Sequence, residues 1–262
     1  MHPESIYNET FVGSLFDRMA KTYGVVNYLS SFGFTERWRR QCIEAIRWDG
    51  GSTQTVYDLM SGMGECWGLI LQKNAGTLRL IGVDISEEAC AALRTAGLEM
   101  QCARFEALDW PEGTVDLIIL NQVIEHLADP RACVARAAAL LRPGGRILIE
   151  TPSVGSWDRD WVAPDRWGGW HCPRHWSLYT RASLTALLQQ QGLTVERTTY
   201  LLSPFIWAHT LQNVVRDAPA WRWASGLLSE RSVPALVAYG LIDTVQRWVT
   251  GRTSNMRVVA RK

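Results

Sequence analysis

The stretch Val56-Tyr57-Asp58-Leu59-Met60-Ser61-Gly62-Met63-Gly64 decides how the rest of the chain is read. Its first half is a short apolar run of strand type, and its second half opens into a glycine turn. Glycine at 62 and 64 lets backbone amides approach a ligand where a side chain would block them. Asp84 ends the next apolar run, over 78–84, and adds a carboxylate suited to a ribose. Together the two features have the form of a nucleotide-cofactor site. Glu65, Cys66 and Trp67 follow Gly64 where a dinucleotide fingerprint of the G-x-G-x-x-G type needs its third glycine, so that reading loses ground.

Outward from this stretch, strand and helix alternate. Strands are predicted over 54–59, 78–84, 99–103, 115–121, 146–151, 194–199 and 256–260, with helices over 65–73, 87–96, 130–141 and 181–191. Such alternation implies an α/β fold, a seven-stranded, mostly parallel sheet with helices on both faces. Residues 51–200 are expected to form the cofactor-binding core, preceded by a helical lid over 1–50. A helical insertion over 201–252 carries two amphipathic stretches, 204–215 and 233–249, before a last strand within 253–262. The Trp-, Pro- and Gly-rich residues 152–180 have no periodicity and read as a long ordered loop beside the sheet.

Composition narrows the function classes. Lysine and arginine total 27 against 26 acidic residues, which leaves no electrostatic footprint for a nucleic-acid partner. Six scattered cysteines without a CxxC pair suit thiols in a reducing compartment, and a cytoplasmic location is expected. No apolar run approaches the roughly 20 residues that span a bilayer. The apolar faces of the insertion helices are read as core or as contact with a second copy. Peripheral membrane contact is the weaker option, because neither helix has a lysine-rich polar face.

The pattern Asp58-x-x-Ser61-Gly62-x-Gly64 resembles motif I of class I S-adenosylmethionine-dependent methyltransferases, a family with a Rossmann-like sheet. Further motifs follow in the family's order. Ile81-Gly82-Val83-Asp84-Ile85-Ser86 resembles the second-strand motif, and Phe105-Glu106-Ala107-Leu108 resembles the adenine loop, although Arg104 stands where the family usually has aspartate. Asn121-Gln122-Val123-Ile124-Glu125-His126-Leu127 resembles the turn after the fourth strand, and Leu141-Arg142-Pro143-Gly144-Gly145 the segment before the fifth. The resemblance implies S-adenosyl-L-methionine as cofactor, held by Asp58, Ser61, Gly62, Met63, Gly64, Asp84, Ile85, Phe105, Glu106, Asn121 and Gln122. No Asn-Pro-Pro-Tyr or Asp-Pro-Pro-Tyr follows the fourth strand, against the enzymes that methylate amino groups of nucleic acids.

Phe16-Asp17-Arg18-Met19-Ala20, Tyr23, Asn27, Ser31-Phe32-Gly33 and Trp38-Arg39-Arg40 are similar to the opening of the ubiquinone and menaquinone C-methyltransferases. Gly24 departs from the aspartate usual there. This likeness implies an apolar small-molecule acceptor, and Tyr23 and Asn27 on the same segment are candidates to close over the cofactor. Candidate catalytic residues are His175, His171, His126 and Tyr23, since an unperturbed histidine titrates near the working pH and can take a proton from an acceptor. His171-Cys172-Pro173-Arg174-His175 has metal-ligand types but no fourth ligand, and no metal is expected. The reading is methyl transfer to a carbon or oxygen of a prenylated, aromatic or natural-product scaffold. Its rivals are a lipid-linked or sugar acceptor and a silent cofactor-binding regulator.

Overall fold

The computed structural model describes Arg40 and residues 54–59, 78–216 and 219–262. The expected lid over 1–50, Arg40 aside, the helix expected over 65–73, and Tyr23, Ser61, Gly62, Met63 and Gly64 lie outside the described residues.

Seven strands form one sheet: β1 Gln54–Leu59, β2 Leu78–Asp84, β3 Glu99–Cys102, β4 Val115–Asn121, β5 Leu141–Pro152, β6 Thr194–Leu201 and β7 Asn255–Arg261. Their order is β3-β2-β1-β4-β5-β7-β6. The pairs among β1 to β5 are parallel, while β7 runs antiparallel to β5 and β6. The chain lays β2 and β3 to one side of β1 and then returns to place β4 on the other. That reversal opens a crevice at the carboxyl ends of β1 and β4, where ligands of open α/β sheets bind.

Helices cover both faces. They are α1 Glu87–Thr95, α2 Pro130–Leu140, α3 Arg181–Gln190, α4 Pro204–Arg216 and α5 Val233–Thr250. Each of the first three starts on a side-chain cap. Ser86 accepts from Ala89 N, Asp129 accepts from Ala132 N ahead of Pro130, and Thr180 and Ser183 form a reciprocal capping box. Alternation along β4 divides the core. Ile118 and Leu120 join α2 and α3 through Val134, Leu140, Leu184 and Leu188, whereas Leu117 and Ile119 join α1 through Cys90 and Leu93. A strand buried on both faces reads as an unbroken apolar run, which is why β4 is so plain in the sequence.

Strand β5 starts earlier than the predicted residue 146, because Leu141 already pairs with Val115 before the register shifts. Gly144, at φ 81, supports the irregularity. At Gly145 a Cβ would lie 2.9 Å from both the Arg142 and the Val115 carbonyl oxygens, so only glycine fits between the two strands there.

Residues 152–180 fold as short turns docked on α4 and the sheet edge. The Trp167 indole N–H donates to Asp158 at 2.9 Å, and the Ser254 hydroxyl donates to the other oxygen of the same carboxylate at 2.7 Å. Gly168 N donates to Thr210 Oγ1 at 2.8 Å, and a Cβ on Gly168 would meet the His209 Cβ and the Ile206 carbonyl oxygen at 2.6 Å. Helix α4 packs on α5 through Trp207, Ala208, Leu236 and Tyr239. Asp243 on α5 accepts from the Trp207 indole at 2.8 Å and from Ser203 N. On its other side α5 leaves Val237, Leu241, Val245 and Trp248 exposed, Trp248 at 84%. Among the described residues, no helix is long and apolar enough to cross a membrane.

Candidate functional site

Asp58, Asp84 and Asn121 sit at or next to the carboxyl ends of β1, β2 and β4. Register keeps these ends level: Asp58 pairs with Gly82 and Ile119, and Leu59 pairs with Val83 and Leu120. Asp84 is only 6% exposed, and its Oδ1 accepts from Ser86 N at 2.9 Å, which fixes the carboxylate at the mouth of the crevice. A fixed acidic group at the end of the strand beside a glycine turn fits a ribose diol, and so fits the ribose of S-adenosylmethionine. Ile85 follows at 40% exposure.

Phe105 and Glu106 form a one-turn 3-10 helix after β3. Phe105 is buried in the core and meets Trp110 edge to face at 6.5 Å, while Trp110 stacks on Tyr57 at 4.0 Å and 3°. The aromatic wall at this end therefore includes Tyr57 and Trp110, which sequence reading missed. A tyrosine inside a strand and a tryptophan in a loop carry no spacing that links them. Glu106 lies 3.9 Å from Arg104, so the charge-reversed position of the adenine loop is paired within its own turn.

Gln122 has a different setting from the one its motif implies. Its backbone is left-handed at φ 57, its N–H donates to the Glu150 carbonyl at 2.8 Å, and its amide donates to Asn255 Oδ1 at 3.3 Å. Asn255 in turn donates to Glu150, which Arg257 clamps through Nε at 3.1 Å and Nη2 at 2.7 Å. The Gln122 side chain thus braces β5 and β7 rather than reaching across the crevice.

Four residues beyond Asn121 the chain makes a second cluster. The 3-10 turn Ile124–His126 buries Glu125 completely. Residues 171–177 lie against that turn: Trp176 N and Ser177 N donate to the Glu125 carbonyl at 2.8 and 3.2 Å, and His126 Nδ1 lies 3.0 Å from the Arg174 carbonyl. His175 Nδ1 is held 2.8 Å from the Gly169 carbonyl. The rings of His126 and His175 are 4.9 Å apart, those of His175 and His171 5.0 Å, and those of His171 and His209 6.0 Å. His209 ends the series in an ion-pair contact with Glu230 at 2.9 Å.

Burial sets the protonation of this cluster. It is the largest cause lowering His175 to about 3, with neighbouring His126 next, and it also lowers His126. Burial raises Glu125 to about 8, offset in part by the Thr151 hydroxyl, which donates to Oε2 at 3.0 Å. The expectation that these histidines titrate near neutrality therefore changes: they are neutral imidazoles and weak bases. Such rings are best suited to offering a lone pair or a hydrogen bond. Glu125, placed from sequence only in the turn after the fourth strand, belongs to the same cluster, and Cys172 is exposed outside it. The Glu-His dipeptide was the available signal, but nothing in sequence joins it to residues 46 to 50 positions later.

A family model described as a methyltransferase domain matches residues 42–198. The ubiquinone/menaquinone biosynthesis C-methyltransferase UbiE of Geobacter sulfurreducens is 31% identical over 146 residues, which are 53% of this chain and 56% of that protein. The chain thus spans about half the length of the curated relatives that it matches. An S-adenosylmethionine-dependent methyltransferase from Thermotoga maritima aligns with a TM-score of 0.59 at 13% identity, over 95% of this chain and 99% of that one. Phosphoethanolamine N-methyltransferase 2 of Haemonchus contortus, solved with S-adenosyl-L-methionine, aligns at 0.56 and 16% identity, over 90% and 58%. With its matched family model, its strand order and its crevice residues, this chain belongs to the methyltransferase-domain family and has the fold of the class I S-adenosylmethionine-dependent methyltransferases.

Proposed function

We propose that the protein transfers the methyl group of S-adenosylmethionine to a carbon, or alternatively an oxygen, of an apolar small molecule such as a prenylated or aromatic scaffold. The observation that carries this reading is the alignment of Asp58, Asp84 and Asn121 along the carboxyl edge where the strand order reverses. The name of the Geobacter relative, a C-methyltransferase of ubiquinone and menaquinone biosynthesis, supports a carbon on an apolar scaffold as the acceptor.

The cofactor supplies a methyl already activated by the sulfonium charge. The chain's own work is orientation and exclusion of water. In this reading Asp84 holds the ribose, Asp58 braces the turn after β1, and Phe105 with Glu106 borders the adenine. The cluster of His126, His171 and His175 faces the acceptor. Net transfer to a carbon exchanges one hydrogen for the methyl and releases one proton, with the carbon–sulfur bonding pair returning to sulfur.

Mass spectrometry of acceptor pools incubated with methyl-labelled donor tests the reading. A gain of one methyl mass on a prenylated or aromatic species is expected. Cofactor binding with no product across broad pools would instead identify a regulator. The apolar exposed side of α5 favours a second reading, a lipid-linked acceptor, which the same pools distinguish once lipid-linked species are included.

A further inference from the structure

We propose that Glu125, His126 and His175 form a binding site for one divalent transition-metal ion of the zinc type. Each side chain brings one ligand atom, and the three atoms lie within 4.8 Å of one another. Among the described residues this is the one group of at least three histidine, cysteine, aspartate or glutamate side chains so placed. Two imidazoles and a carboxylate are the protein ligands of His2Glu zinc sites and of related centres that keep a coordination position open.

The outer contacts fit the same purpose. A backbone carbonyl only accepts, so His126 and His175 each place their proton on Nδ1, facing the Arg174 and Gly169 carbonyls. The lone pair of each ring is then on Nε2. Metal-binding histidines are held in this way, with the far nitrogen donating to a carbonyl or carboxylate that fixes the tautomer and the ring direction. The carboxylate is held likewise. Glu125 Oε2 accepts from Thr151, while Oε1 is fully buried and has no hydrogen-bond partner. A buried, unpartnered side-chain oxygen is costly, and a bound cation would give Oε1 the partner that it lacks.

Zinc ligands about 2.0–2.2 Å from the ion stand about 3.3–3.5 Å apart, so the widest gap here closes by about 1 to 1.5 Å on side-chain rotation. Both histidines are partly exposed, which leaves the ion a route in. The acceptor class that such a site favours carries an ionisable oxygen, phenol or enol, next to the carbon that receives the methyl. That role rests on the function proposed above, whereas ion binding does not.

The test uses the untagged full chain, kept reduced and stripped with chelator. It is titrated with Zn2+ against a chromogenic chelator, loaded separately with Co2+ for visible spectra, and assayed for S-adenosylhomocysteine binding. One equivalent of Zn2+ is expected, with Co2+ bands of nitrogen and oxygen ligation and no intense thiolate band. Binding should weaken at least tenfold in His175→Ala and Glu125→Gln. Absence of Zn2+ binding, a thiolate band, or unchanged affinity in both variants overturns the proposal. The Co2+ spectrum of the unaltered chain decides the ligand type even if a variant fails to fold. Homocysteine-cofactor binding without metal binding removes the ion and leaves the proposed function standing, and the converse result removes the function and leaves the ion.

Discussion

At Gly145 one methyl group is enough to disturb the sheet. A Cβ there meets two backbone carbonyl oxygens at 2.9 Å, and neither carbonyl can swing aside without disturbing the β4–β5 ladder. Gly145→Ala is therefore expected to lower stability by about 1–3 kcal/mol, read as a shift of the denaturation midpoint in urea. The same scale explains what single residues disclosed about the site. Asp84 was legible because a carboxylate at the end of a strand beside a glycine turn has few other uses. His126, His171 and His175 were legible by type. The protonation of His126 and His175 was not, since it depends on burial by residues from separate parts of the chain. Glu125 was not among the candidate catalytic residues, because the sequence does not reveal that the turn after β4 is roofed by residues 171–177.

Among the elements, β5 and β7 are joined by more than their ladder. Arg257 and Glu150 form a buried ion pair, with exposures of 4% and 2%, completed by Asn255 and Gln122. Removing one partner leaves a buried charge uncompensated, so Arg257→Ala should lower stability by about 3–5 kcal/mol, measured as a fall in melting temperature. Helix α5 is tied to α4 by Asp243, whose carboxyl burial raises from 3.8 to about 6. The native state thus binds this proton more tightly than the unfolded chain. Stability from the group is full below about pH 4 and is lost as pH rises through 6. Relative to Asp243→Asn, which cannot ionise, the natural chain should lose about 2–3 kcal/mol between pH 4 and 7, seen in denaturant midpoints across that range. Strands β1, β2 and β4 occupy the residues predicted for them, because buried parallel strands leave continuous apolar runs. Strand β5 was cut short in the prediction because Pro143 and the glycine pair look like its beginning, whereas they lie inside it.

Over the whole molecule, the reversal of strand order between β1 and β4 puts Asp58, Asp84 and Asn121, proposed to hold the cofactor, and the histidine cluster on one edge of one sheet. Alternation of strand and helix made that edge predictable. The polar links that hold the loop 152–180 and helices α4 and α5 against it, through Asp158, Ser254 and Asp243, join residues up to 96 positions apart and leave no local pattern. The central claim is that this edge binds S-adenosylmethionine, with Asp84 on the ribose. Titration calorimetry of the full chain with S-adenosylmethionine and S-adenosylhomocysteine tests it most directly. Saturable binding of both at one site is predicted, with Asp84→Ala at least tenfold weaker, about 1.4 kcal/mol or more, while the variant remains folded. No binding of either ligand by the natural chain would contradict the account, and unchanged affinity in Asp84→Ala would remove the ribose assignment on which it rests.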